Sequence, residues 1–104
     1  MSHTEKEIKN IAFKTMNDIE FDYDKDIGID FIRFDSQHYI LRGNDKEQPI
    51  QAWVVSFEFG KPYFSPEAVF LTISDEMGEP LYFQHSTAVI ELEKDVNGKY
   101  HKKV

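Results

Sequence analysis

Residues 51–59 read QAWVVSFEF, and large apolar side chains occupy every second position, at Trp53, Val55, Phe57 and Phe59. A period of two is that of an extended strand, because successive side chains point to opposite faces of a sheet. Three aromatic rings and a valine on one face are a large apolar load, and they include the protein's one Trp. The pattern predicts an interior strand whose apolar face carries the hydrophobic core.

A helix is predicted over residues 4–19, ahead of this strand. Its apolar residues fall on one stripe with helical spacing: Ile8, Ile11, Ala12, Met16 and Ile19. Thr4 and Glu7 form a capping-box pattern, in which the hydroxyl and the carboxylate each bond a free backbone N–H. A helix with a single apolar stripe is expected to pack across the apolar face of a sheet.

Further strands are predicted on both sides of residues 51–59. Residues 27–34 change phase midway, which predicts a bulge or burial on both faces, and Asp35-Ser36 is predicted to turn into a short strand over 38–41. Residues 69–73 carry aliphatic side chains at every second position and predict a strand. Residues 75–80 predict a turn around Gly78, and residues 81–85 predict the strand that returns after it. Residues 87–92 fit a strand or a short helix, and Asn97-Gly98 predicts a hairpin after which 99–104 pair back or fray.

These elements predict one α+β domain over residues 1–104, with the N-terminal helix packed on an antiparallel sheet of four to six strands in two layers. The length suffices for a single hydrophobic core without disulfides or metal.

Composition excludes several functional classes. The net charge of −7 disfavours nucleic-acid binding, which needs a basic surface, and docking on anionic membranes. The absence of Cys excludes disulfides and Cys-type zinc sites. The first twenty residues lack the apolar run of a signal peptide, and no stretch is apolar enough for a membrane span. The sequence therefore predicts a cytoplasmic protein.

Patterns of catalysis or cofactor binding are not found. The four His are not spaced as a helix-borne metal pair, the five Gly are scattered, and no nucleophile elbow is present. We therefore predict that the protein is not an enzyme, has no catalytic residues and uses neither cofactor nor metal.

The region over residues 18–30 is strongly acidic. We predict that its carboxylates bind a basic protein partner, and the candidate residues are Glu20, Asp22, Asp24, Asp26 and Asp30. The alternative is a solvated acidic loop with no partner. The D-x-D-x-D pattern is similar to the start of a calcium loop, but Ile27 stands where that loop needs Gly and Arg33 where it needs Glu.

Two motifs within residues 53–81 carry a resemblance to a known family that covers about residues 4–83. After the W-x-V-x-F alternation comes a D-x-x-G-E-x-L turn, formed by Asp75, Gly78, Glu79 and Leu81. This combination resembles PepSY-like small domains and related immunity-protein-type domains of bacterial toxin systems. In those, a leading helix precedes antiparallel strands, and such a turn joins two of them. The resemblance implies a non-catalytic domain that binds or inhibits another protein, and it implies no catalytic residue.

Two other functions remain open at this point. One is a small-ligand-binding domain or enzyme with a pocket between helix and sheet, lined by Trp53, Phe57 and Tyr82. The other is a structural homo-oligomer, such as a homodimer, formed by pairing an uncovered sheet edge. The favoured function is a small acidic protein-binding module of the immunity or inhibitor type.

Overall fold

The computed structural model describes residues 2–21, 28–38, 49–59, 67–85 and 88–103, with the backbone alone at 38, 58, 59, 67 and 68. They form one helix, α1 (Glu5–Asp18), followed by β1 (Ile29–His38), β2 (Ile50–Phe59), β3 (Glu67–Ser74), β4 (Glu79–His85), β5 (Ala88–Lys94) and β6 (Tyr100–Lys102). Each strand pairs antiparallel with the next, so the sheet order is β1-β2-β3-β4-β5-β6. The predicted α+β architecture, with one helix on an antiparallel sheet, is confirmed.

The predicted capping box begins α1. Thr4 is the N-cap residue; its hydroxyl accepts from the Glu7 N–H at 3.2 Å, and the Glu7 carboxylate accepts from the Thr4 N–H at 2.8 Å. The helix buries one stripe, formed by Ile8, Ala12, Thr15 and Met16. At 14 residues α1 is short, and no helix in the described part of the chain is long and apolar enough to cross a bilayer.

The core lies between α1 and the apolar face of β2 to β4. Strand pairing places Val55 opposite Leu71 and Phe57 opposite Val69, and Leu71 in turn opposite Phe83. These side chains are fully buried together with the helix stripe. The orientation predicted for Trp53 and Phe57 is confirmed, whereas the side chain of Phe59 lies outside the described residues.

The opposite face of the same strands is also buried. Val54, Ser56, Thr72 and Tyr82 are all less than a tenth exposed. Ser56 Oγ and Thr72 Oγ1 have no hydrogen-bond partner among the described residues, and they are diagonal neighbours because Thr72 pairs with Val54. A buried hydroxyl without a partner is costly, since it gives up its bonds to water.

The first strand corrects one prediction. The bulge predicted from the phase change is confirmed as a shift of register between Ile29 and Phe31. The turn predicted at Asp35-Ser36 is wrong, because β1 continues to His38, which pairs with Ile50. The Asp35 side chain accepts from the Gln37 N–H at 3.1 Å, so a second shift of register takes the place of a chain reversal. Residues 39–41 of the predicted short strand lie outside the described residues.

The C-terminal hairpin settles two open points. Residues 88–94 form a strand, and the chain after Gly98 (φ +82°) pairs back as β6. The hairpin is attached to the end of α1: the Asp18 carboxylate accepts from the Tyr100 N–H at 3.0 Å and from Lys14 Nζ at 2.6 Å. Lys14 Nζ also donates to the Gly98 carbonyl at 2.8 Å.

The unpaired hydroxyls predict an unusual mutational response. Ser56→Ala and Thr72→Val should leave the free energy of unfolding unchanged or raise it by up to about 1 kcal/mol, because each removes a buried group that lacks a partner. Urea unfolding followed by Trp fluorescence measures the change.

Ser74→Ala is the matched control, since Ser74 is also buried, at 5% exposed, but its hydroxyl accepts from the Met77 N–H at 3.2 Å. This substitution should lower the free energy of unfolding by about 1 kcal/mol. Equal losses in Ser56→Ala and Ser74→Ala would contradict the assignment of Ser56 as unpaired.

Candidate functional site

A fully buried carboxylate, that of Asp75, lies in the turn after β3. Its Oδ1 accepts from the indole Nε1 of Trp53 at 2.8 Å and from the backbone N–H of His3 at 3.1 Å. Its Oδ2 accepts from the backbone N–H of Ser2 at 2.6 Å. Ser2 and His3, here called the N-terminal strap, are therefore held against a turn that is more than seventy positions away in the chain.

The turn itself is fixed by backbone bonds. The Asp75 N–H donates to the Gln51 carbonyl at 3.0 Å, and the Gly78 N–H donates to the Ser74 carbonyl at 2.8 Å. Gly78 has φ of +66°, a conformation that costs glycine little and strains other residues. The sequence D-x-x-G thus places Asp75 at the edge of the sheet with its carboxylate directed at the strap and the indole.

Hydrogen bonding keeps Asp75 ionised. Burial raises the pKa of its carboxyl, but the bonds from the Trp53 indole and from the Ser2 and His3 backbone amides outweigh burial, and the net effect is a lowered pKa. All three donors are neutral N–H groups, and the positive charge of the amino terminus lowers the pKa further. Asp75 is therefore a buried anion stabilised mainly by dipoles, and at neutral pH it remains a strong hydrogen-bond acceptor.

The imidazole of His3 covers Gly78. Its Nδ1 is 2.5 Å from the Asp75 carbonyl oxygen, and a Cβ atom added at Gly78 would overlap the ring. The strap thus contacts the turn through a side chain as well as through its backbone.

A cleft of about 610 Å³ lies beside this turn. It is lined by Ser2, Pro49, Ile50, Gln51, Ser74, Glu76, Met77 and Leu81. Among these described residues Glu76 is the one charged side chain, and Met77, 63% exposed, is the most exposed large apolar one. Ser2 both lines the cleft and bonds Asp75, so the strap forms one wall of it. The arrangement can hold an apolar group next to a negative charge.

The pocket predicted from the sequence is not assembled. Trp53 and Phe57 belong to the core that faces α1, whereas Tyr82 pairs with Thr72 and lies on the other face. Phe83, one position further, faces the helix side. The three predicted residues therefore do not line one pocket, because the alternation of β4 puts Tyr82 out of phase with them.

The predicted acidic surface is only partly described. Glu20 is exposed directly after α1 with φ of +57°, and Asp30 is exposed on β1. Asp22, Asp24 and Asp26 lie outside the described residues, so their role in binding a partner stays a prediction. Within the described ranges no group of three or more His, Asp or Glu side chains could hold a metal ion.

Sequence reasoning missed the role of Asp75. It assigned the residue to a turn, where Asp is common and exposed, and nothing local indicates that the strap covers it. The available signal was its position, two residues after the alternating apolar strand 69–73, whose end is buried.

No protein-family model, curated protein or solved structure matches this chain. The function is therefore inferred from the geometry of the site.

Gly78→Ala should destabilise the protein through two separable effects. The φ of +66° strains Ala by about 1–2 kcal/mol, and the new Cβ displaces the His3 ring. In a His3→Ala background only the first effect remains, so the loss caused by Gly78→Ala should be smaller there. Chemical unfolding of the four proteins of this double-mutant cycle measures the coupling. Additive losses would contradict the contact between His3 and Gly78.

Because Asp75 is ionised in the folded protein, the free energy of unfolding should fall as the pH is lowered. Its pKa is lower in the folded than in the unfolded protein, so its contribution is present above the unfolded pKa of about 3.9 and is lost as the pH falls through the folded pKa. Asp75→Asn should be less stable at pH 7 and show a shallower loss between about pH 5 and pH 2. Urea unfolding at several pH values checks both points.

Glu76→Gln removes the neighbouring exposed carboxylate and provides the control. At pH 7 it should lower the free energy of unfolding less than Asp75→Asn does, because the Glu76 side chain is exposed. If Asp75→Asn and the wild type lost stability with the same slope, the pKa of Asp75 would be the same in the folded and unfolded protein, which would contradict its lowering by the hydrogen bonds.

Proposed function

We propose that this chain is a small non-catalytic protein-binding module that captures a basic partner, in the manner of an immunity or inhibitor protein. The observation that carries the proposal is the cleft beside Asp75, whose described lining combines apolar side chains with a single charged one, that of Glu76. It belongs to a protein of net charge −7. Exposed apolar side chains rimmed by polar ones are typical of protein-interaction sites.

The cleft is suited to be the anchor of a larger interface. Stable protein complexes bury about 20–30 residues on each side, more than the eight described residues that line this cleft. A few side chains inserted into pockets nevertheless carry most of the binding energy in such interfaces. Met77 and Leu81 are placed to contact an inserted side chain, and the surrounding surface would add the rest.

Charge supports a basic partner. The predicted acidic surface, of which Glu20 and Asp30 are described and exposed, would steer a positively charged protein and speed its association. This contribution is sensitive to salt, because exposed charges are screened over about 8–10 Å at physiological ionic strength. We propose that the protein acts in the cytoplasm.

The resemblance to PepSY-like and immunity-protein-type domains agrees with this function. Of the turn residues that carry it, Leu81 lines the cleft, Asp75 holds the strap and Gly78 lies under the His3 ring. The proposal therefore assigns the matching turn a role in forming a binding surface.

A homo-oligomer is the second candidate, favoured by the position of β1 at one end of the sheet order. An edge strand can pair with another copy. Its two shifts of register, however, are of the kind that interrupts edge pairing. The protein-binding cleft is therefore the better-supported function.

Replacing Met77 by Lys should reduce partner capture. Tagged protein is incubated with lysate of the native organism, and the bound partner is quantified by mass spectrometry. Met77→Lys removes apolar contact and places a positive charge where a basic partner docks, so recovery should fall about tenfold, equivalent to roughly 1.4 kcal/mol.

Val96→Lys is the matched control, since it makes the same change of charge at the fully exposed hairpin turn between β5 and β6. Val96→Lys should recover as much of the partner as the wild type does. Joint reversal of Asp22, Asp24 and Asp26 to Lys tests the acidic surface separately. Equal recovery with Met77→Lys and Val96→Lys would exclude the cleft as the docking site.

A further inference from the structure

We propose that the carboxylate of Asp75 is the recognition group for an arginine side chain of the partner, and that the N-terminal strap occupies this position until the partner displaces it. The inference rests on the proposed function, because it identifies what the cleft receives. It depends on four features of the site: the bonding pattern at Asp75, its charge, the place of Ser2 and the composition of the cleft.

The strap bonds Asp75 as an arginine would. Two N–H groups of adjacent residues reach the two oxygens of one carboxylate, Ser2 on Oδ2 at 2.6 Å and His3 on Oδ1 at 3.1 Å. A guanidinium group presents neighbouring N–H donors in a fixed planar fork that matches both oxygens of a carboxylate. The position therefore accepts a bidentate donor, and the strap fills it with backbone amides.

A cation would bind this carboxylate more strongly than the strap does. The donors that now reach Asp75 are the neutral amides of Ser2 and His3 and the indole of Trp53. The strap's bonds are already charge-assisted because Asp75 is ionised, and a guanidinium adds the attraction between two full charges, which a neutral amide lacks. The indole can keep its bond to Oδ1 at 2.8 Å and hold the carboxylate in place during the exchange.

The cleft leads to this carboxylate. Ser2 lines the cleft and donates to Asp75, while Ser74 and Glu76, on either side of Asp75 in the chain, line it as well. Displacement of Ser2 therefore connects the cleft with the buried acceptor. The strap acts as an intramolecular competitor, which lowers the apparent affinity for any ligand of Asp75.

The cleft fits the rest of an arginine-bearing segment. Pro49, Ile50, Met77 and Leu81 offer apolar surface to the methylene stem and to a neighbouring aliphatic side chain. The described lining residues include no Lys, Arg or His to repel the cation, and Glu76 adds a second negative charge. Lysine suits the position less well, because its ammonium group is a point charge without the fork.

The test is a titration with the capped tripeptide acetyl-Leu-Arg-Leu-amide. Its binding is followed by the ¹H–¹⁵N signal of the Trp53 indole, which is unambiguous because the chain has one Trp. We expect a saturable shift, and binding about tenfold weaker when the arginine is replaced by citrulline, its neutral isostere, or by lysine. Equal binding of the arginine and citrulline peptides, or no saturable shift, would overturn the proposal.

Ser2→Pro tests the competition by the strap, because proline has no N–H to donate to Oδ2. It should bind the arginine peptide several-fold more tightly than the wild type, whereas Ser2→Ala, which keeps the N–H, should not. Asp75→Asn should abolish the preference for arginine over citrulline. Unchanged affinity in Ser2→Pro would show that the strap is not displaced.

The two proposals fail in different ways. If Met77→Lys loses the partner but the arginine peptide does not shift the indole, the cleft binds a protein without using Asp75. If the peptide binds with the expected preference but capture does not depend on Met77, arginine recognition stands and the cleft is not the docking site of that partner.

Discussion

The bond between the Trp53 indole and the Asp75 carboxylate joins the hydrophobic core to the candidate site. The ring of Trp53 packs in the core under α1, and the Phe34 ring meets it edge-on with the two ring centroids 5.1 Å apart. The indole Nε1 of Trp53 donates to Asp75 Oδ1 at 2.8 Å. A buried indole needs an acceptor for its N–H, and a buried carboxylate needs donors, so each group meets the other's requirement. The remaining lone pairs of the carboxylate accept from the backbone N–H groups of the N-terminal strap.

Two aspartates fix the two ends of the helix. Asp75 holds the residues before α1, and Asp18, at its last position, holds the hairpin that leads to β6. A helix of 14 residues is marginal alone in water, so its stability comes from packing and from such attachments. Each attachment uses a carboxylate that accepts from the backbone. The pKa of Asp18 is lowered by its bonds from Lys14 Nζ and the Tyr100 N–H, and that of Asp75 by its bonds from the indole and the strap. Burial acts in the opposite direction at both sites and is outweighed.

The candidate site uses groups whose structural roles are already satisfied. Asp75 is already buried and bonded by the strap and the indole, so binding a partner there exchanges hydrogen bonds on an acceptor that is in place. The incoming cation loses its hydration at a cost, so the exchange is favourable only if that group is well aligned. A guanidinium fork against two carboxylate oxygens meets that condition, which is why the geometry favours arginine.

Features that depend on local patterns follow from the amino-acid sequence alone. The capping box at Thr4 and Glu7, the apolar face of residues 51–59, the bulge near Ile29 and the turn at Gly98 all follow from neighbours a few positions apart. Period and backbone preference are properties of short segments, so they can be read without the fold.

The other features depend on contacts between distant parts of the chain. Asp75 is buried because of a strap 72 and 73 positions away. Strand β1 continues through Asp35-Ser36 because it pairs with β2. Tyr82 lies outside the predicted pocket because of the register of β4. Local propensity does not specify which distant backbone groups meet. These contacts follow from the packing of the whole sheet against the helix, and the candidate site is built from them.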